Sequence, residues 1–159
     1  MIKRPLPKNC YSKYPILTPE GIIIHYISAI NTAPDAWDDV DEIVKIFEDY
    51  KLSAHFLIDR YGNVIELVPI NFRAFHAGKS KWKKWRNLNR NFLGIELVAT
   101  HNSGYTDAQY DALQKLCTNL TNELNISMSN VVGHSDVAPR RKRDPGPLFD
   151  WDRFREGGK

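Results

Sequence analysis

The run Gly21–Ile27, GIIIHYI, constrains the fold of this chain more than any other stretch. Four of its seven residues are isoleucine, and no polar alternation interrupts them before His25. Such a run reads as a strand buried on both faces. A strand of that kind needs a packed layer on each side. Residues 92–99, FLGIELVA, form a second apolar strand. SAHFLID and VIELVP flank the turn Arg60-Tyr61-Gly62-Asn63 and read as a hairpin. Residues 130–133 give a last strand.

Helical signals lie between these strands. Trp37, Val40, Val44 and Phe47 recur at helical spacing within residues 35–50, and acids crowd the first turns. Thr106-Asp107-Ala108-Gln109 matches a capping box. It opens a helix to about Leu124, with Tyr110, Leu113, Leu116, Cys117 and Leu120 on one face. Residues 150–155 read as a short terminal helix. Residues 1–20 are rich in Pro and Tyr and read as an irregular arm. Residues 71–90 read as irregular and basic. Strands and helices mix without strict alternation. The pattern predicts an α/β (mixed α+β) single domain, a central mixed β-sheet flanked by helices.

The 159 residues suffice for one domain with a hydrophobic core. Hydrophobic residues make up 42% and charged residues 26%, ordinary for a globular chain. A formal net charge of only +3 sets up no global field, so any basic effect is local. Cys10 and Cys117 lie in no CxxC pair, and Cys117 reads as a buried thiol. Prolines interrupt the N-terminus where a secretory leader would carry an apolar core. No apolar run approaches the roughly 20 residues of a membrane span. The expectation is a protein that is cytoplasmic at synthesis.

Residues 133–147, GHSDVAPRRKRDPGP, combine a histidine, four consecutive basic residues and an aspartate before a proline. The run fits a basic patch for nucleic acid, with Trp82 and Trp85 as stacking platforms. It also fits a metal site beside an anionic substrate. A catalytic zinc commonly takes three protein ligands and leaves one position for water. His25 at a strand end, His134 after a strand and Asp144 in a loop make a plausible set. Any one of them alone is more often an ordinary buried polar residue. Pro145 biases Asp144 toward an extended backbone.

Read together, the motifs decide. GHSDVAPRRKRDPGPLFDWDRF closely resembles the C-terminal motif of the zinc-dependent N-acetylmuramoyl-L-alanine amidases. That family also includes peptidoglycan recognition proteins and phage lysozymes of amidase type. IIIHYIS resembles its first ligand strand, SAHFLIDRYGNVIELVP its hairpin, and AFHAGKSKW its HAG-S-W loop. NFLGIELVAT and YTDAQYDAL resemble its later strand and helix. The likeness is greatest to the AmpD-type branch and to phage endolysins.

The resemblance implies a catalytic domain over residues 21–159. It implies one Zn²⁺ per chain, held by His25, His134 and Asp144. Glu96 matches the catalytic glutamate, and Lys142 the basic residue two positions before the last ligand. Arg141 matches an arginine that meets the acidic stem peptide. Ala74, His76 and Trp82, in the HAG-S-W loop, are placed on the substrate side, with a supporting role behind the metal ligands as the alternative for His76. His55 reads as a core histidine, and His101 has no role. Ala54 stands where some phage enzymes carry a catalytic tyrosine, which points to the glutamate variant.

These roles fit elementary chemistry. A carboxylate can move the proton from water to the leaving amine. A lysine can face the developing oxyanion. An arginine can grip a carboxylate with two hydrogen bonds. The reaction implied is cleavage of the amide between the lactyl group of N-acetylmuramic acid and L-alanine. Binding-only relatives usually lack a ligand, and all are present here. The compact chain, the basic Trp loop and the arm lean toward a cell-wall-degrading endolysin, and the segment between the first strand and SAHFLID, shorter than in cytosolic recycling amidases, fits a more open groove. The alternative is a cytosolic AmpD-like amidase that recycles anhydro-muropeptides. The expected partner is peptidoglycan or a muropeptide, with no nucleic acid, no membrane and a monomeric chain.

Overall fold

In a computed structural model, residues 1–16 and 18–157 are described. The sheet is built around β3 (Gly21–Ile27) and β9 (Phe92–Val98), which pair in parallel along seven positions each. β10 (Val131–Gly133) joins β3 in parallel. β4 (Phe56–Ile58) pairs parallel with β9, and β5 (Val64–Glu66) returns antiparallel to β4. β1 (Ile2–Lys3) adds a parallel edge to β5. The order is β1-β5-β4-β9-β3-β10, a mixed sheet with β3 and β9 inside it, as their apolar sequences require.

Alternation along the strands sorts the two faces. Ile22, Ile24, Leu93, Ile95, Phe56 and Ile58 pack on one side with Leu113, Cys117 and Leu120 of α2 (Asp107–Leu124). The Thr106 capping box forms as expected: its hydroxyl accepts from Gln109 N–H at 3.1 Å. The other face has two apolar clusters. Leu57 and Val98 lie with Phe47, Ile43 and Val44 of α1 (Val40–Tyr50). Ile23, Phe92 and Val132 lie with Leu88 and Ala77. His55, His25 and Glu96 are buried polar residues of the sheet region. Glu96 stands opposite both His25 and Leu57 in the register, which places these side chains on one face.

Some expectations need correction. The first helix was expected over 35–50; it begins at Val40, because Asp39 has an extended backbone and its carboxylate caps the N–H groups of Asp41 and Glu42. Among its described residues the arm is irregular only in part. Besides β1 it holds β2 (Tyr11–Pro15), which pairs antiparallel with β6 (Phe72–Ala74). Prolines hid it, yet edge strands tolerate them. The 71–90 segment also holds a small hairpin, β7 (Lys81–Trp82) with β8 (Trp85–Arg86). Its turn places Lys83 at φ 50 without the usual Gly or Asn signal. The loop after β10 starts with a short helix, α3 (His134–Val137). α4 (Trp151–Glu156) matches the expected terminal helix within a residue. Residues 158–159 of the expected catalytic domain lie outside the described residues.

Candidate metal centre and cleft

Strand register explains why distant residues converge. His25 faces the cleft from β3. The last β10 pair is Gly133 with Ile24, so His134 follows level with His25. Asp144 comes back over both: Ser135 N–H donates to its backbone carbonyl at 2.9 Å. Gly133 makes room for the following Pro145, since a β-carbon there would lie 2.7 Å from the proline ring. The Asp144–Pro145 peptide is cis.

His25 Nδ1 lies 2.9 Å from His134 Nδ1 and 3.0 Å from Asp144 Oδ2. His134 Nδ1 lies 3.2 Å from the same oxygen. The outer nitrogens are engaged elsewhere. His134 Nε2–H donates to Ala77 O at 3.1 Å, and His25 Nε2 lies 2.9 Å from His76 Nδ1. With their hydrogens on Nε2, both imidazoles turn lone pairs inward against a carboxylate oxygen. Burial depresses the His25 pKa, which favours this neutral state. Three electron-rich atoms so close need a positive charge among them. Ligands 2.0–2.1 Å from a tetrahedral ion would be roughly 3.3 Å apart. The cluster is a few tenths of an ångström tighter, and its donor set fits zinc.

The cluster floors a cleft of about 540 Å³. Glu96, Lys142, Arg141, Arg143 and Tyr26 line it, and Phe47, Leu52 and Phe75 add apolar lining. Thus the segment after β3 walls the cleft through α1 instead of leaving it open. Glu96 Oε2 is buried and has no hydrogen-bond partner. Burial and then the Asp144 charge push the Glu96 pKa well above the usual carboxylate range, while Lys142 opposes them. A larger groove, about 730 Å³, lies between α2 and β5 on the opposite face and contains none of these groups.

The structure brings His25, His134, Asp144, Glu96, Lys142, Arg141 and His76 together. One Arg141 nitrogen donates to Ala77 O and Lys79 O, at 2.6 and 2.9 Å, so Arg141 also ties down the loop. Ala74 and Trp82 do not reach the cleft. Ala74 is fully buried in β6, opposite Tyr11. Trp82 packs beside Leu88 and Val132, and its indole donates to Asn130 Oδ1 at 3.2 Å. Trp85 packs in the same cluster, so neither indole lines the cleft. Asn89 was missed: its Oδ1 accepts from His76 N–H and Ala77 N–H, at 3.1 and 2.8 Å. Only the folded loop reveals that role.

Behind the cleft, His55 Nδ1 accepts from Gly94 N–H at 3.0 Å, and its Nε2–H donates to Phe72 O at 2.8 Å. Protonation would set two N–H groups against each other. Burial pushes the pKa of His55 down to about 4. The unfolded chain, near 6.5, therefore binds this proton first as pH falls. The stability is fully present above about 6.5 and is lost as pH falls toward 4, by about 3 kcal/mol in total. Urea unfolding at pH 7 and pH 4.5 should show the loss, and His55→Gln should lessen it. Equal losses in both proteins would contradict it.

Fold and site define a mixed α+β protein with a His-His-Asp cluster, suited to a divalent cation, in a walled cleft beside a buried carboxylate. The chain belongs to the N-acetylmuramoyl-L-alanine amidase family, whose sequence profile matches residues 15–147. It is 44% identical over 76% of its length to the 1,6-anhydro-N-acetylmuramyl-L-alanine amidase AmpD of Enterobacter cloacae. That match spans only 63% of the relative. A selenomethionine derivative of AmpD superposes with TM-score 0.81 at 32% identity, covering 99% of this chain and 94% of that one. The amidase AmiD of E. coli superposes with TM-score 0.77 at 31% identity, covering 92% and 59%. AmiD was solved with the substrate anhydro-N-acetylmuramic acid-L-Ala-D-γ-Glu-L-Lys. A mutant Bacillus subtilis endolysin shares the fold, with TM-score 0.70 at 24% identity over 99% and 97%. The lean toward an endolysin is therefore corrected: the AmpD and AmiD likenesses are the stronger ones.

Proposed function

We propose that the chain is a zinc-dependent amidase that releases L-alanine-headed peptides from anhydro-muropeptides, as a cytoplasmic recycling enzyme. The observation that supports this most is the inward-facing Nδ1, Nδ1 and Oδ2 trio beside the unpartnered Glu96 oxygen. When bound, Zn²⁺ supplies a Lewis acid and a water acidic enough to lose a proton near neutral pH.

The residues do the rest. Glu96 takes a proton from the attacking water, whose oxygen becomes bonded to the lactyl carbonyl carbon. Lys142 faces the oxyanion that develops on that carbonyl. Glu96 then returns the proton to the alanine nitrogen as the C–N bond breaks. The products are a lactyl carboxylate and a free α-amino peptide. Arg141, already fixed on the loop, offers its remaining N–H groups to a stem-peptide carboxylate. The apolar lining from Phe47, Leu52 and Phe75 suits a compact anhydro-sugar.

Purified chain loaded with Zn²⁺ should cleave soluble anhydro-muropeptide at least ~10-fold faster than it releases peptide from intact sacculi. This is a tenfold rate ratio, worth about 1.4 kcal/mol. The reverse preference would restore the endolysin reading. Cleavage of neither would remove the amidase assignment.

A further inference from the structure

We infer that His76 is a positioning residue for the metal site, holding His25 in the tautomer and ring orientation that turn Nδ1 toward His134 and Asp144. The inference rests on the metal reading and adds a residue outside the ligand set.

The hydrogen positions are set outward from the backbone. The Phe92 carbonyl can only accept, and His76 Nε2 lies 3.0 Å from it. That nitrogen therefore carries the hydrogen of neutral His76. Nδ1 of His76 keeps a lone pair, 2.9 Å from His25 Nε2. His25 must then donate from Nε2, which leaves its own lone pair on Nδ1. One carbonyl on β9 thus sets the tautomer two imidazoles away. The His25 and His76 rings meet edge-on at 88°, so the bond also fixes ring orientation.

The surroundings are built for this ring. A β-carbon on Gly94 would lie 2.5 Å from His76 Cγ, so only glycine at that position lets the imidazole lie against β9. Asn89 holds the His76 backbone. Both His76 nitrogens are occupied, which leaves no polar side-chain atom for a substrate. Of the two roles expected for His76, this geometry favours support of a ligand over contact with substrate. Such outer partners of metal-bound histidines typically alter affinity by 10- to 100-fold.

The test is Zn²⁺ affinity of the full chain, measured by competition with a chromophoric chelator. His76→Phe keeps a ring but offers His25 no acceptor. It should weaken Zn²⁺ binding by about 10- to 100-fold. His76→Asn retains an acceptor near the place of Nδ1 and should recover most of that loss. Gly94→Ala should weaken binding by displacing the ring. The visible spectrum of Co²⁺-loaded protein should change for His76→Phe and Gly94→Ala, and little for His76→Asn. Unchanged affinity in His76→Phe, or equal weakening in the Asn and Phe variants, would overturn the role. Should His76→Phe fail to fold, Gly94→Ala against His76→Asn decides: wild-type affinity in Gly94→Ala overturns the role, and weakening there with a near-normal Asn variant supports it. A wild-type chain that binds no Zn²⁺ would instead refute the metal reading itself.

Discussion

Glu96→Gln should bind Zn²⁺ at the wild-type ratio and lose at least ~10²-fold in kcat, the usual worth of general acid–base catalysis. The register places this side chain beside His25 and holds it there whatever the terminal atom. Glutamine has the same shape and cannot accept and return a proton. The wild-type carboxyl has a buried oxygen with no partner, so nothing within the fold competes for the proton it would take. Its raised pKa, caused first by burial and then by Asp144, makes it a better base than a surface glutamate. Steady-state kinetics beside zinc analysis of the same sample check this. Near-normal turnover in zinc-loaded Glu96→Gln would mean that another group moves the proton.

Asp144→Ala and His134→Ala should abolish both zinc retention and activity. Two remaining donors cannot hold a catalytic zinc in the usual three-ligand way. Asp144→Ala also removes the one anion among the three and leaves two inward lone pairs facing each other. Affinity should fall by more than ~10²-fold, beyond the range typical of an outer partner. In the wild type, a chelator should remove activity and Zn²⁺ should restore it. Metal analysis after gel filtration, with the activity of the same fractions, measures both. A variant that keeps one zinc per chain and normal activity would displace that residue from the ligand set.

The sheet interior was legible because GIIIHYI and FLGIELVA are apolar on both faces. The second helix was legible because Thr106 and Gln109 stand at capping-box spacing. The members of the His25, His134 and Asp144 cluster could be named from motifs. Their convergence could not, since it depends on His25 and Glu96 standing in register and on His134 emerging level with them. Ala74 and Trp82 were misplaced for a related reason. The HAG-S-W loop turns through β6 and the β7–β8 hairpin, and a residue near a motif in sequence can face the other way. Gly94 had no assigned role in the sequence. Its purpose emerges only when the His76 ring is seen against it. Asn89 lies in a stretch read as irregular, yet it holds the loop that carries His76 and Ala77.

Hydrolysis of anhydro-muropeptide in ¹⁸O-labelled water, followed by mass spectrometry of both products, tests the central claim most directly. Zinc-loaded protein should give anhydro-muramic acid with one ¹⁸O in its lactyl carboxylate, and an unlabelled peptide that begins with free L-alanine. Label on the peptide, cleavage at any other bond, or intact substrate after prolonged incubation with zinc-loaded protein would contradict it.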